Sequence, residues 1–213
     1  PTGRKGFVPD ADYFDKAFGY TRWKAVSTIS LGIGQGELLV TPIQMANMSA
    51  AIANRGYYYT PHIIKRVNGE KLDDPNYTEP KHTTIDSIHF EEVINGMFDV
   101  FEQGTARYSR HDSIEMCGKT GTAENPHGQD HSIFIAFAPR KNPKIAMAII
   151  VENGYWGSRW AAPIASLMIE KYITGEVNRK DMEKRMIEGS LEDEYQKQLE
   201  GKYVKNLLTL NNE

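Results

Sequence analysis

The chain has 213 residues, of which 25 are Lys or Arg and 28 are Asp or Glu, for a net charge of −3. That length allows one large domain or two small ones, and the near-even charge balance gives no support to a nucleic-acid binder, which shows a basic excess on one face. The single cysteine, Cys117, excludes an intrachain disulfide framework and a cysteine-based zinc site, and no apolar run approaches the roughly 18 residues of a membrane span.

The first residues, PTGRKGFVPD, lack the apolar stretch of a signal peptide. They begin abruptly in turn-rich sequence without a Met and read as a piece cut from a longer protein. Residues 1–40 read as Gly-rich and irregular. In TPIQMANMSAAIANRG, Thr41 can cap a helix, Pro42 suits its first position, Gln44 completes a capping box and Gly56 stops it. This predicts a helix over 42–54, whose many small residues suit close packing. Residues 57–85 hold a strand-like piece, HIIKRV, in an otherwise polar surface excursion. From Ser87 onward, Phe90, Val93, Ile94, Met97, Phe98 and Phe101 recur at helical spacing until Gly104.

Three strands are predicted next, at about Ile114–Thr122, 132–138 and 144–151. The last two, SIFIAFA and KIAMAIIV, are nearly all apolar, so they should be buried on both faces with helices on each side. The short PRKNP between them predicts an antiparallel hairpin. A helix follows over about 159–173, with Pro163 near its first turn, where proline is tolerated. The tail from Glu176 to Lys205 is densely charged with a weak helical pattern, and reads as a solvated surface helix. Helices around strands give an α/β or α+β layered fold class. Three strands make a thin sheet, and two more are expected from a part of the protein not in this chain.

The chemistry centres on MCGKTGTAEN, Met116 to Asn125. A phosphate loop would need glycine where Ser113 stands, and would lead into a helix rather than a hairpin. GIGQG, Gly32 to Gly36, lacks the dinucleotide spacing. The remaining reading is the edge strand of a serine acyl-transfer site. Lys119 would favour anions, the Thr120 and Thr122 hydroxyls would bind a carboxylate or amide, and Gly121 would let substrate backbone approach closely. The Thr122 N–H would serve as an oxyanion donor. By itself K-[ST]-G is a weak signal, found by accident in on the order of one chain in ten of this length.

Other residues invite blander readings. His127, Asp130 and His131 fall in a loop, ENPHGQDH, and read as solvated rather than metal-binding; no cofactor site is indicated. Cys117 reads as a buried strand residue rather than a reactive thiol. Trp156 and Trp160 flank the last strand–helix connection, where packing is the favoured role over rimming a cleft. Glu124 and Glu152 have no spacing that makes them an acid pair.

Taken in order, GIGQG, VTPIQMANMSAAIANRG, EQGTA, GKTGTAE, FIAFAP, VENG and AAPIASLMIEKY resemble the second half of the transpeptidase domain of class B penicillin-binding proteins, of the penicillin-binding protein 2 type. The resemblance covers about 1–175, with 176–213 as a charged, helical tail outside it. It implies a partial transpeptidase fold of the β-lactamase-like kind, with antiparallel strands flanked by helices. It also implies a D-alanyl-D-alanine transpeptidase that cross-links peptidoglycan stem peptides through a serine acyl-enzyme and is stalled by β-lactams. In the family the K-T-G strand lines the cleft and binds the substrate's terminal carboxylate. That role falls on Lys119, Thr120, Gly121 and Thr122, with Lys119 and Thr122 catalytic.

The same resemblance implies a parent anchored in the inner membrane with this domain in the periplasm, and a cell-elongation glycosyltransferase as partner. The family's nucleophile motif S-x-x-K and its S-x-N are both absent here: no serine has lysine three positions on. In the family both precede GIGQG, as do two strands of the sheet. The chain alone is therefore expected to be inactive and soluble, with an exposed sheet edge through which it would self-associate. The alternatives are an inactive scaffold or binding module, and a β-lactam sensor or serine β-lactamase relative.

Overall fold

The computed structural model of the chain describes residues 5–20 and 22–196. Helix α1, Ala11–Phe18, begins where the Asp10 carboxylate accepts the Tyr13 N–H at 2.8 Å. Helix α2 follows at Ala25–Gly32. These two helices correct the reading of 1–40 as irregular. An aromatic cluster gives α1 its packing partner: Phe14 is buried with its ring 5.4 Å from Trp23, and Tyr13 meets Phe7 edge-on.

Helix α3, Pro42–Ala53, has the expected capping box, with the Thr41 N–H donating to Gln44 Oε1 at 2.8 Å. Its small residues let it lie close on the sheet. Ser49 is fully buried and its hydroxyl donates to the Ala136 carbonyl at 3.0 Å. Residues 57–85 form two minimal ribbons and one helical turn. Strand β1, Tyr57–Tyr58, is the partner of β4, Lys81–His82; β2, Arg66–Val67, pairs with β3, Glu70–Lys71; α4 spans Pro75–Thr78. HIIKRV thus supplies two strand residues only, because Ile63 and Ile64 find no sheet to bury them and stand exposed.

A 3-10 turn at Ser87–His89 leads into α5, Phe90–Glu102, and another at Arg107–Ser109 follows it. The main sheet has the antiparallel order β5, β6, β7, from Cys117–Ala123, His131–Ala138 and Ile145–Val151. Helix α6, Ala161–Thr174, covers one face against Phe134, Ala136 and Met147; α3 and α5 cover the other against Cys117 and Phe137. The layered fold with antiparallel strands flanked by helices is therefore as expected.

Two boundaries differ. Strand β5 starts at Cys117 rather than Ile114, since Ile114 and Met116 are buried as an apolar approach to the strand. Strand β7 is mostly half-buried rather than buried throughout, because among the described residues no strand lies along its outer side. Exposed Val26 and Ile29 on α2, Ile33 just after it, and Ile43 on α3 leave a second uncovered apolar surface.

Helix α7, Lys180–Glu188, packs on α6, and residues 191–196 are helical. Its outer face is exposed, and 197–205 of the predicted tail helix lie outside the described residues. At the root of α7, Arg179 reaches into the body of the domain, where Glu170 is fully buried.

Candidate active site

Strand β5 places the four K-T-G-T residues by simple alternation. Lys119, Thr120, Gly121 and Thr122 pair with Ile135, Phe134, Ile133 and Ser132 of β6. Thr120 and Thr122 point to the α6 side and line a cleft of about 590 Å³. Lys119 shares the opposite face with Cys117, is exposed, and its Nζ donates to the Thr120 carbonyl at 2.7 Å. So the structure brings the two threonines together and sets Lys119 across the strand from them. The Thr120 hydroxyl is held by the Thr105 hydroxyl at 3.0 Å, which ties the turn after α5 to the motif.

The back of the cleft is the connection from β7 to α6. Ser132, buried on β6 opposite Thr122, donates its hydroxyl to the Trp156 carbonyl at 2.9 Å and accepts the Ala161 N–H at 3.2 Å. Gly157 then crosses directly against β5: a Cβ there would lie 2.4 Å from the Ile133 oxygen and 2.8 Å from the Gly121 oxygen. Only glycine permits that approach. Tyr155, with φ of 62°, adopts the left-handed backbone disfavoured for a bulky residue. Such strain persists where the surroundings enforce it, and it clusters at functional sites.

This connection overturns the packing role expected of Trp156. Its side chain is 58% exposed and lines the cleft, whereas Trp160 is 5% exposed and does pack in the core. Asp130 and His131 are also not simply solvated. The Asp130 carbonyl accepts the Tyr155 N–H at 2.8 Å, and His131 Nδ1 accepts the Asn153 N–H at 3.0 Å. They hold the strained connection in place; His127 remains exposed. Glu124 and Glu152 are both exposed on separate loops.

The front wall was missed in the sequence. The 3-10 turn supplies Arg107 and Tyr108, and α7 supplies Met182 and Arg185. Arg179 locks these two pieces together. Its guanidinium donates to the carbonyls of Ser109, Arg110 and Ser166 at 3.1, 3.2 and 3.0 Å and to Glu170 Oε2 at 2.8 Å. Burial pushes the Glu170 carboxyl up, but the Asn178 N–H at 2.7 Å, Arg179 and His111 together outweigh it and hold it below its ordinary value.

Cys117 is fully buried, its thiol near the Ile94 carbonyl, and burial pushes it up to about 12. It is a core residue. The glycine turn at Gly34 to Gly36 faces Ala123 to Asn125 across a second hollow of about 720 Å³, so GIGQG stands at the end of the K-T-G-T strand.

A family model described as the penicillin binding protein transpeptidase domain matches residues 10–170. The peptidoglycan D,D-transpeptidase MrdA of Haemophilus influenzae is 34% identical over 172 residues, which are 71% of this chain and 26% of that protein. A crystal structure of Pseudomonas aeruginosa PBP2 in complex with WCK 5153 superposes with a TM-score of 0.70 at 34% identity, covering 82% of this chain and 39% of that one. The PBP2 of Helicobacter pylori, in complex with MreC, gives 0.68 at 29% identity over 82% of this chain and 32% of that one. The chain thus spans about a quarter of the length of the curated relatives it matches. On the match over 10–170, the chain belongs to the penicillin-binding protein transpeptidase family.

Proposed function

We propose that this chain is the K-T-G-T-bearing part of a penicillin-sensitive peptidoglycan D,D-transpeptidase. One observation carries the reading: β5 is the sheet's edge strand, and it presents Thr120 and Thr122 into a cleft lined with arginines. The two hydroxyls take the terminal carboxylate of a stem peptide, or the carboxylate of a β-lactam. The Thr122 N–H serves as an oxyanion donor, Gly121 admits the substrate backbone, and Lys119 favours anionic groups from the other side of the strand. Residues 1–175 belong to the catalytic domain, and 176–213 are an appended segment.

The nucleophile is a serine outside these 213 residues, since none here has lysine three positions on. Its oxygen gives up a proton to a base and attacks the carbonyl carbon of the penultimate D-alanine. The peptide C–N bond breaks and D-alanine leaves with the proton. An amine of a neighbouring stem then attacks the ester, forms the cross-link and restores the hydroxyl. Without that serine the chain forms no acyl-enzyme, and its bare apolar surface on α2 and α3 is where the nucleophile-bearing part docks or, failing that, where copies of the chain associate. A membrane-anchored parent in the periplasm, working with an elongation glycosyltransferase and a protein of the MreC kind, completes the reading.

Fluorescent penicillin offered to this chain and to the full-length parent tests it. The parent should label, and the chain should not. A Thr122→Ala parent should label more slowly by about tenfold or more. Labelling of the chain would put a nucleophile among its own serines. Failure of both to label would make the parent a scaffold.

A further inference from the structure

The cleft beside Thr120 and Thr122 holds more positive charge than one carboxylate requires. Arg107, Arg159 and Arg185 line it, and no Asp or Glu does. Arg159 is answered by Glu194. Arg107 lies over the Tyr108 ring, 4.6 Å from its centroid, and Arg185 donates to the Arg159 carbonyl at 2.9 Å. Neither of these two has an acidic partner among the described residues.

The two arginines come from different walls. Arg107 sits on the 3-10 turn after α5; Arg185 sits on α7, beyond the residues 10–170 that match the family. The Arg179 clamp fixes one wall against the other, through the Ser109 and Arg110 carbonyls on the first and Glu170 beneath the second. Cations mounted on fixed backbone lose less freedom when they bind than cations on a mobile tail. Exposed Tyr108 and Trp156 add flat apolar surface beside them. The volume, about 590 Å³, falls within the range that takes a drug-sized ligand rather than a single acid group.

We infer that Arg107 and Arg185 form a second carboxylate subsite, which takes an acidic group of a peptide whose terminal carboxylate lies at Thr120 and Thr122. The inference rests on the threonine assignment proposed above and narrows the substrate to peptides carrying a free carboxylate besides the terminal one. The guanidinium groups can offer the paired N–H donors that a carboxylate accepts.

The test uses the 213-residue chain and two synthetic peptides. One is acetyl-D-alanyl-D-alanine, with a single carboxylate. The other ends in the same dipeptide and carries a free glutamate carboxylate upstream. Titration calorimetry at low salt should show the acidic peptide binding about tenfold more tightly. High salt and the double variant Arg107→Gln/Arg185→Gln should both abolish that advantage, the double variant weakening the acidic peptide far more than the first. Arg185→Lys should restore part of it, which a folding defect would not allow. Equal weakening of both peptides would assign the arginines to the terminal carboxylate and overturn the second subsite. Absence of any advantage in the unaltered chain would overturn it too. Binding of the acidic peptide alone, lost in the double variant, would keep the subsite and refute the threonine assignment.

Discussion

Replacing Arg179 by alanine should destabilise the chain more than replacing Glu170 by glutamine, although the two residues form one ion pair. Glu170 is 0% exposed and accepts the Asn178 N–H at 2.7 Å and Arg179 Nε at 2.8 Å. Deleting the guanidinium leaves a buried carboxylate without its cation, a loss of about 3–5 kcal/mol, and also frees the Ser109, Arg110 and Ser166 carbonyls it served. Glu170→Gln keeps an acceptor for Asn178, while Arg179 retains its three carbonyls and partial contact with water. That change costs about 1.5–3 kcal/mol, the range for hydrogen bonds to charged groups. At about 2–4 °C per kcal/mol for a chain of this size, Arg179→Ala should melt roughly 6–20 °C below the unaltered protein, and Glu170→Gln roughly 3–12 °C below it. The pH dependence has a definite sign. Because the folded carboxyl is held low, its contribution is present above the unfolded value and is lost as pH falls through the folded one. The gap between the unaltered protein and Glu170→Gln should therefore shrink on acidification from pH 7 to below about pH 4. Thermal melts across that range decide the matter. A lower melting temperature for Glu170→Gln than for Arg179→Ala, or a gap that widens in acid, would refute the reasoning.

Gly118→Ala should lower stability by about 1–3 kcal/mol in urea unfolding, since the new Cβ would sit 2.5 Å from the Phe134 ring and 2.9 Å from the Ile135 oxygen. Cys117, fully buried and pushed up to about 12, should react with thiol reagents at pH 8 only as fast as the chain unfolds, and addition of denaturant should restore full reactivity.

Much of the scaffold was readable because its signals are local. The capping box of Thr41 and Gln44 and the stop at Gly56 delimit α3 whatever packs on it. The spacing from Phe90 to Phe101 already describes the buried stripe of α5. Helix α1 had such signals too, in the Asp10 cap and the Phe14–Phe18 spacing, and the surrounding glycines obscured them. Helix α2 has no buried residue among those described, so no amphipathic stripe could announce it. In the cleft, the threonines were legible from the motif. The exposure of Trp156 was not, since it depends on Gly157 crossing β5. Nor was the place of Arg185, which follows from an ion pair between Arg179 and a glutamate on another helix.

The Ser132 hydroxyl has a mechanical consequence. It ties the Trp156 carbonyl and the first N–H of α6 to the same point on β6, so the rear jamb of the cleft cannot shift without the sheet. Part of the opposite jamb is α7, which is tied to the body of the domain through the Arg179 side chain and the Asn178 N–H at its root. Any widening to admit a bulky peptide must therefore come from the α7 side and break the Arg179 clamp, with the threonines standing still.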